Sequence, residues 1–301
     1  MNYWKQCMGL AAVALTFSAP SLAQTGKGDV VYVPTPQIVV DEMLGMAKVN
    51  AKDYLIDLGS GDGRFVITAA KKHGARALGV DLDTFLLKVA NENALKEKVN
   101  DRVTFREENL FETDISAATV VSTYLLPEMN LKLRPKILRL KPGTRVVAHD
   151  YSMGDWFPDE QKTLVVPEKK VGNPGLSYLY FYIVPALAAG TWQSQINIGG
   201  RDVPYEFSME QFFQMIDGPV RAGDAAGELR GKLAGEQVSF TVNAKSGAKL
   251  ERHQFAGRIE GETITGTVRI GDGATARQAA WTAKRVKRGA LVRADDELDG
   301  K

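Results

Sequence analysis

Cysteine is almost missing from this chain: 301 residues hold one, Cys7. It lies ahead of an apolar N-terminal run, so it is not a lipoprotein cysteine. Cleavage beyond that run would leave a chain with no disulfides. Histidine is nearly as scarce, and the three present are scattered: His73 follows a helical stretch, His253 lies far down the chain, and His149 closes a strand. No constellation for a metal or for nucleophilic catalysis is seen. An excess of one charge is lacking too, with 38 Lys and Arg against 36 Asp and Glu. That balance gives no strong field for an anionic membrane and disfavours nucleic acid as a substrate. Long hydrophobic runs are also absent, since the Met8 to Phe17 stretch is too short for a comfortable membrane span. What remains is 44% hydrophobic, enough to bury a full core over a length that accommodates two domains.

The two ends stand apart from the rest. Lys5 precedes the apolar run, and Ser21-Leu22-Ala23 before Gln24 puts small residues at cleavage spacing. This predicts a secretory signal peptide over residues 1–23 and a periplasmic or secreted protein. At the other end a basic run from Lys284 to Arg288 meets an acidic run from Asp295 to Asp299, which predicts a charged tail over residues 287–301.

The sharpest signal is the stretch Tyr54 to Asp81. Tyr54-Leu55-Ile56 reads as a buried strand, Asp57-Leu58-Gly59-Ser60-Gly61-Asp62-Gly63-Arg64 as a tight glycine turn, and Phe65 to Ala70 as the start of a helix. A second apolar strand, Ala77 to Val80, ends in Asp81, about twenty residues after the glycines, where a ribose-binding carboxylate belongs. Glycines admit a ligand close to the backbone, the helix N-terminus offers free N–H groups, and the acid accepts two ribose hydroxyls. The pattern G-x-G-x-G differs from a dinucleotide fingerprint, because Arg64 stands where a third glycine packs helix on strand.

With Asp57 before the turn, D-L-G-S-G-D-G followed by G-V-D-L-D resembles motif I and its acidic partner in the class I S-adenosylmethionine-dependent methyltransferases. V-P-T-P, D-L-G-S-G-D-G-R, Y-L-L-P and L-K-P-G-T-R-V-V are together similar to a narrower branch, related to the non-SET histone lysine methyltransferases and to the lysine methyltransferase of the ATP synthase c subunit. The resemblance covers residues 30–185. It implies a Rossmann-like, doubly wound α/β sheet of seven strands, with S-adenosyl-L-methionine as cofactor. Alternating apolar strands and helices along that half agree: Arg102 to Arg106, Thr119 to Thr123 and Thr144 to Asp150 follow as strands, with Thr163 to Val166 and Tyr178 to Val184 as a closing hairpin. By the resemblance the cofactor-binding candidates are Tyr32, Thr35, Asp57, Gly59, Ser60, Gly61, Asp62, Gly63, Asp81, Asn109 and Leu110. Asn109 departs from the acidic residue that contacts the adenine amine in the family, and its amide oxygen offers an uncharged acceptor instead. Thr35 before Pro36 is also well placed as a helix N-cap; the resemblance adds that the Tyr32 to Thr35 arm covers the cofactor.

Residues 186–190 read as a linker, and residues 190–286 change character. Apolar and polar residues alternate between glycine turns, as in antiparallel strands. G-E-L-R-G-K-L-A-G-E-Q-V-S-F-T-V echoes F-A-G-R-I-E-G-E-T-I-T-G-T-V, each a hairpin turning at Gly-Glu. A small all-β domain is expected, as a meander, sandwich or barrel, with Trp192 and Trp281 in its core or lining a ligand calyx.

Methyl transfer asks the protein mainly for orientation, which is worth effective molarities of about 10⁵ M or more. Tyr124, His149 and Asp150 are the candidates for positioning the acceptor or removing its proton, and desolvation by Tyr124, Leu126 and Trp156 would lower the pKa of an acceptor amine. The expected function is an exported methyltransferase acting on protein lysines or other amines. The rivals are a non-catalytic nucleoside- or ligand-binding protein on the same fold and, last, aminopropyl transfer.

Overall fold

The computed structural model describes residues 32–246, 249–273 and 276–289. The expected signal peptide and the acidic part of the tail lie outside these residues. The first half alternates as anticipated: α1 (Gln37–Met46), β1 (Tyr54–Leu58), α2 (Arg64–His73), β2 (Arg76–Asp81), α3 (Thr84–Lys96), β3 (Val103–Glu107), β4 (Val120–Thr123), α4 (Pro127–Ile137), β5 (Arg145–His149), β6 (Glu160–Val166) and β7 (Gly175–Ile183). The seven strands form one sheet in the order β3-β2-β1-β4-β5-β7-β6, with β7 antiparallel to both its neighbours. Strand order reverses between β1 and β4, so the crevice where ligands bind opens at the C-terminal ends of these two strands.

Local chemistry explains the helix ends. Gly63 (φ 78°) opens α2 and Gly74 (φ 71°) closes it, both in the left-handed region that suits glycine. Asp83 caps α3 by accepting from the backbone N–H groups of Phe85 and Leu86 at 2.9 and 3.2 Å. At α1 the expectation of a Thr35 cap fails. Pro36 is the N-cap residue, no side chain caps the helix, and the Thr35 hydroxyl is engaged by His149.

The second half is a closed barrel of eight antiparallel strands: β8 (Gly190–Ile198), β9 (Arg201–Phe212), β10 (Met215–Ala222), β11 (Ala225–Ala234), β12 (Gln237–Ser246), β13 (Lys249–Glu260), β14 (Thr263–Ile270) and β15 (Arg277–Arg288). Each strand pairs with the next in the chain, and β15 returns to pair with β8. The two Gly-Glu turns fall where the repeat places them, between β11 and β12 and between β13 and β14. Trp192 and Trp281 are core residues: both are buried inside the barrel, Trp281 against Phe207, Phe240 and Phe255 and Trp192 opposite Phe207, so the calyx alternative is set aside.

Two expectations at the domain ends need correction. The basic run is strand rather than tail up to Arg288, and Arg285 is buried with its guanidinium 4.3 Å from the Trp192 ring centroid. That placement binds a cation to the ring face and holds the carbonyls of Leu187 and Ala189. The linker, too, is packed rather than loose. Gln211 accepts from the N–H groups of Ala188 and Ala189 at 2.7 and 3.1 Å and donates to the Ala186 carbonyl at 2.9 Å.

The barrel also inserts a side chain into the sheet domain. Phe213, in the β9–β10 turn, is 1% exposed; its ring stacks on Trp156 at 6.0 Å and lies 5.2 Å from the Arg134 guanidinium. Gln214 beside it donates to the Phe157 carbonyl at 2.6 Å. Trp156, expected at the acceptor end of the site, belongs instead to this interdomain core with Tyr182. Among the described residues no helix is long and apolar enough to cross a membrane. Removing the plug should be felt in both halves: Phe213→Ala is expected to cost about 3–5 kcal/mol, read as a lower urea midpoint for the sheet domain's unfolding. An unchanged midpoint would mean that the two halves do not support each other.

Candidate active site

The site is built on the turn after β1. Gly59 and Ser60 donate their N–H groups to the Val80 carbonyl, both at 2.9 Å, which folds the turn over the end of β2. Gly61 N–H donates to Asp81 Oδ2 at 2.8 Å, and Asp83 N–H to Asp81 Oδ1 at 3.0 Å. Each carboxylate oxygen of Asp81 therefore has one fixed backbone donor and a further lone pair for a ligand. Gly63, not Arg64, does the close packing of helix on strand, since a Cβ there would sit 2.6 Å from the Phe105 ring and 2.9 Å from the Ala90 side chain.

Arg64 has a different role, which the sequence reading missed. It forms a bidentate pair with Asp62 and donates to the Thr35 carbonyl at 2.8 Å, so it fastens the N-terminal arm to the turn. The arm then lays the Tyr32 ring directly on Gly61, where a Cβ would collide with it. Burial, aided by the charge of Asp62, pushes the Tyr32 phenol up to about 12.

A cavity of about 320 Å³ lies between the arm, the turn and the ends of β1, β2, β4 and β5, within the range of small-molecule sites of roughly 300–1,000 Å³. Of the predicted cofactor residues, Tyr32, Thr35, Asp57, Gly59, Ser60, Asp62, Asp81, Asn109 and Leu110 line it, while Gly61 and Gly63 stand behind the wall. Asp57 is buried and accepts from Ser122 Oγ at 2.7 Å. Burial pushes its carboxyl up to about 7, opposed by that hydrogen bond and reinforced by Asp81 and Asp62. Asn109 lines the far end, where its amide oxygen accepts from Phe111 N–H at 3.0 Å in a local turn and keeps a second lone pair. The charged group beside it in the wall is Glu108. Lys132, with its ammonium 4.1 Å from the Phe111 ring centroid, lines the cavity as well. The sequence reading missed both; the acidic residue that the family places near Asn109 was a signal for Glu108, one position earlier, and nothing marked Lys132.

Two hydroxyls in this wall, of Ser60 and Thr123, are buried without a hydrogen-bond partner among the described residues. A buried polar group left unpaired costs about 1–3 kcal/mol, so two in one cavity wall mark a place built for a polar ligand. Together with a carboxylate held by two backbone N–H groups beside a glycine turn, they fit the ribose and amino-acid ends of a nucleoside such as S-adenosylmethionine.

The candidate catalytic residues cluster at the opposite end. Tyr124 follows β4 and lines the cavity, with its ring centroid 4.0 Å from that of His149. His149 is fully buried; Nδ1 meets Thr35 Oγ1 at 3.2 Å and Nε2 meets Ser177 Oγ at 3.0 Å. Burial pushes its imidazole down to about 4. It is neutral at pH 7 with both nitrogens engaged, which suits a residue that holds the arm and Tyr124 in place and not a base. Asp150, with φ 61°, does not reach the cavity; it accepts from the Tyr124 hydroxyl at 3.0 Å. Leu126 and Trp156, expected to desolvate the acceptor, do not line the cavity either.

A nucleoside crevice at the switch point of this sheet, with an acid at the end of β2, defines the class of S-adenosylmethionine-dependent methyltransferases. Comparison with known proteins narrows it. The ANTKMT methyltransferase domain matches residues 57–160. A protein-lysine N-methyltransferase of Saccharolobus islandicus is 47% identical over 131 residues, 43% of this chain and 81% of that protein. A lysine N-methyltransferase of the ATP synthase c subunit, from Xenopus laevis, is 33% identical over 153 residues, 50% of this chain and 66% of its own length. A solved structure described as an RNA methyltransferase from Salinibacter ruber, in complex with S-adenosyl-L-homocysteine, is 49% identical over 51% of this chain and 94% of its own, with a TM-score of 0.46. The chain belongs to the family of that archaeal protein-lysine N-methyltransferase. It is an enzyme, with S-adenosylmethionine as its cofactor, and the non-catalytic alternative falls away.

Two measurements test this site. Gly61→Ala puts a methyl group into the Tyr32 ring at φ 51°, a conformation that costs a side chain about 1–2 kcal/mol. Calorimetric affinity for S-adenosylhomocysteine should fall about tenfold or more, and unchanged affinity would remove the arm from the site. The second concerns His149, whose imidazole sits at about 4 folded against the ordinary 6.5. Between those values the unfolded chain binds a proton that the folded one refuses, so stability is lost as the pH is lowered, by up to about 3 kcal/mol from this group. Urea unfolding of His149→Gln should therefore show the variant gaining on the native protein by that order from pH 6.5 to pH 4. Parallel curves would mean that the imidazole ionises freely in the folded state.

Proposed function

We propose that this methyltransferase acts on lysine ε-amines of proteins and works outside the cytoplasm. The observation that carries the acceptor reading is the Tyr124 end of the cavity, where an oriented phenol and a neutral imidazole stand together behind the crevice. Bound S-adenosylmethionine supplies an activated methyl group that an amine attacks in line while sulfur leaves with the electron pair. The protein's own part begins with the amine. Discharging a lysine of pKa about 10.4 costs about 4 to 5 kcal/mol at pH 7. Apolar walls from Leu125 and Met129 and the rings of Tyr124 and His149 favour the neutral form by withdrawing it from water. Neutral His149 adds no charge to this end, and Tyr124 offers an oxygen to orient the nitrogen. The similarity to lysine methyltransferases from an archaeon and a frog supports the same acceptor class.

The export reading is supported by the sequence alone, through Lys5, the apolar run and the small residues before Gln24. Its test is joined to that of the acceptor. The chain from Gln24 onward is incubated with methyl-tritiated cofactor and, separately, with cytoplasmic protein, envelope protein and RNA from the source cells, with Asp81→Ala as control. Label recovered as methyl-lysine from envelope protein, and lost in the control, is the expected outcome. Label in RNA, or in base-labile esters, would overturn the amine reading. Recovery of the intact N-terminus from the cytoplasm would overturn export.

A further inference from the structure

The group that orders the Tyr124 end lies on a loop that no motif singled out. Residues 167–174 join β6 to β7, and they carry Lys169, which is 6% exposed. Its ammonium pairs with Asp150 Oδ2 and donates to the Leu176 carbonyl at 2.7 Å. That same Asp150 oxygen accepts from Tyr124 Oη at 3.0 Å, and the other accepts from Tyr178 N–H at 3.2 Å. Gly172 closes over the pair at φ 74°, so near that a Cβ would lie 3.0 Å from Asp150 Oδ2 and 3.2 Å from Tyr124 Oη. Neither Lys169 nor Asp150 touches the cavity.

A buried ion pair is a weak source of stability, because desolvation offsets most of its attraction. Its effect here is on the direction of one O–H bond. A carboxylate paired with an ammonium is an acceptor only, so the phenol must point its proton at Asp150 and turn its lone pairs elsewhere. We propose that Lys169 is a positioning residue for methyl transfer: through Asp150 it fixes Tyr124 as an acceptor toward the incoming amine. An amine N–H then donates to Tyr124 Oη, and the nitrogen lone pair stays free for the methyl carbon. Without Lys169 the carboxylate loses the ammonium that holds Oδ2 against Tyr124 Oη and can turn toward His149 Nε2, 3.5 Å from its other oxygen. Released from Asp150, the phenol turns its own O–H toward the amine, and the lone pair needed for attack is tied up in a hydrogen bond.

The inference rests on the reading of Tyr124 as the acceptor-side residue, and a double-mutant cycle separates the two. Tyr124→Phe, Lys169→Met and the double variant are compared for initial rates of methyl-lysine formation in unfractionated envelope protein, at saturating cofactor, alongside calorimetric binding of S-adenosylhomocysteine. Each single variant should lose about 10- to 100-fold in rate, the size of one charge-assisted hydrogen bond. The double variant should fall no further than Tyr124→Phe, with nucleoside affinity unchanged in all three. Losses that multiply, or that follow a parallel loss of affinity, would overturn the role of Lys169 and leave Tyr124 in place. A native rate in Tyr124→Phe, or no methyl-lysine from the native protein, would overturn the acceptor reading beneath it. Should Lys169→Met fail to fold, Gly172→Ala puts a methyl group against the same two oxygens. The same rate loss is expected, and a native rate would overturn the proposal.

Discussion

Everything at the cofactor end depends on how the turn after β1 is tied to the end of β2. Two N–H groups of the turn share the Val80 carbonyl, and a third reaches the Asp81 carboxylate. Parallel pairing of Leu58 with Val80 sets the register that makes this possible. A shift of one residue would turn Asp81 to the other face of the sheet and leave the turn without its acceptors. The glycines follow from this tie, since Gly61 must bring its backbone to the carboxylate and still admit the Tyr32 ring above. Arg64 carries the constraint outward to the arm, and through Thr35 to His149 on β5. The ends of strands β1, β2 and β5 are thus joined by one chain of polar contacts in the cavity wall.

What could be read before folding were the contacts near in sequence. The strand, glycine turn, helix and acid lie within thirty residues, and their spacing is set by geometry that any chain must obey. The Gly-Glu hairpins were legible for the same reason. Thr35 shows where such reading ends. A threonine before a proline-initiated helix is a good local cap, yet its hydroxyl goes to a ring 114 residues away. That histidine is shut away from water and needs a partner, whereas the first turn of α1 begins with a proline at its cap. Asn109 shows a local use that the spacing did not reveal: its oxygen accepts from the N–H of its own turn while the residue lines the cavity.

Lys169, Arg64 and Trp156 were illegible for a third reason. A lysine in a loop, an arginine at a helix start and a tryptophan after a strand have many ordinary uses, and nothing in their neighbours chooses among them. Tertiary contact makes the choice: burial against Asp150 for the lysine, the arm's carbonyl for the arginine, and a barrel phenylalanine for the tryptophan. Barrel closure belongs with them, because alternation marks the strands and says little about which edges meet.

Closure of the barrel has a consequence for how the chain is made. Strand β8 waits for β15, whose last residues pair with it across almost a hundred positions. The sheet domain has all its strands by Ile183 and can acquire its topology while the remainder is still leaving the ribosome. The barrel cannot. Until Arg277 to Arg288 arrive, two strand edges stand open, each able to pair with another unfinished copy. The slow and error-prone interval in the biogenesis of this protein is therefore the end of synthesis, after the catalytic half already has its shape.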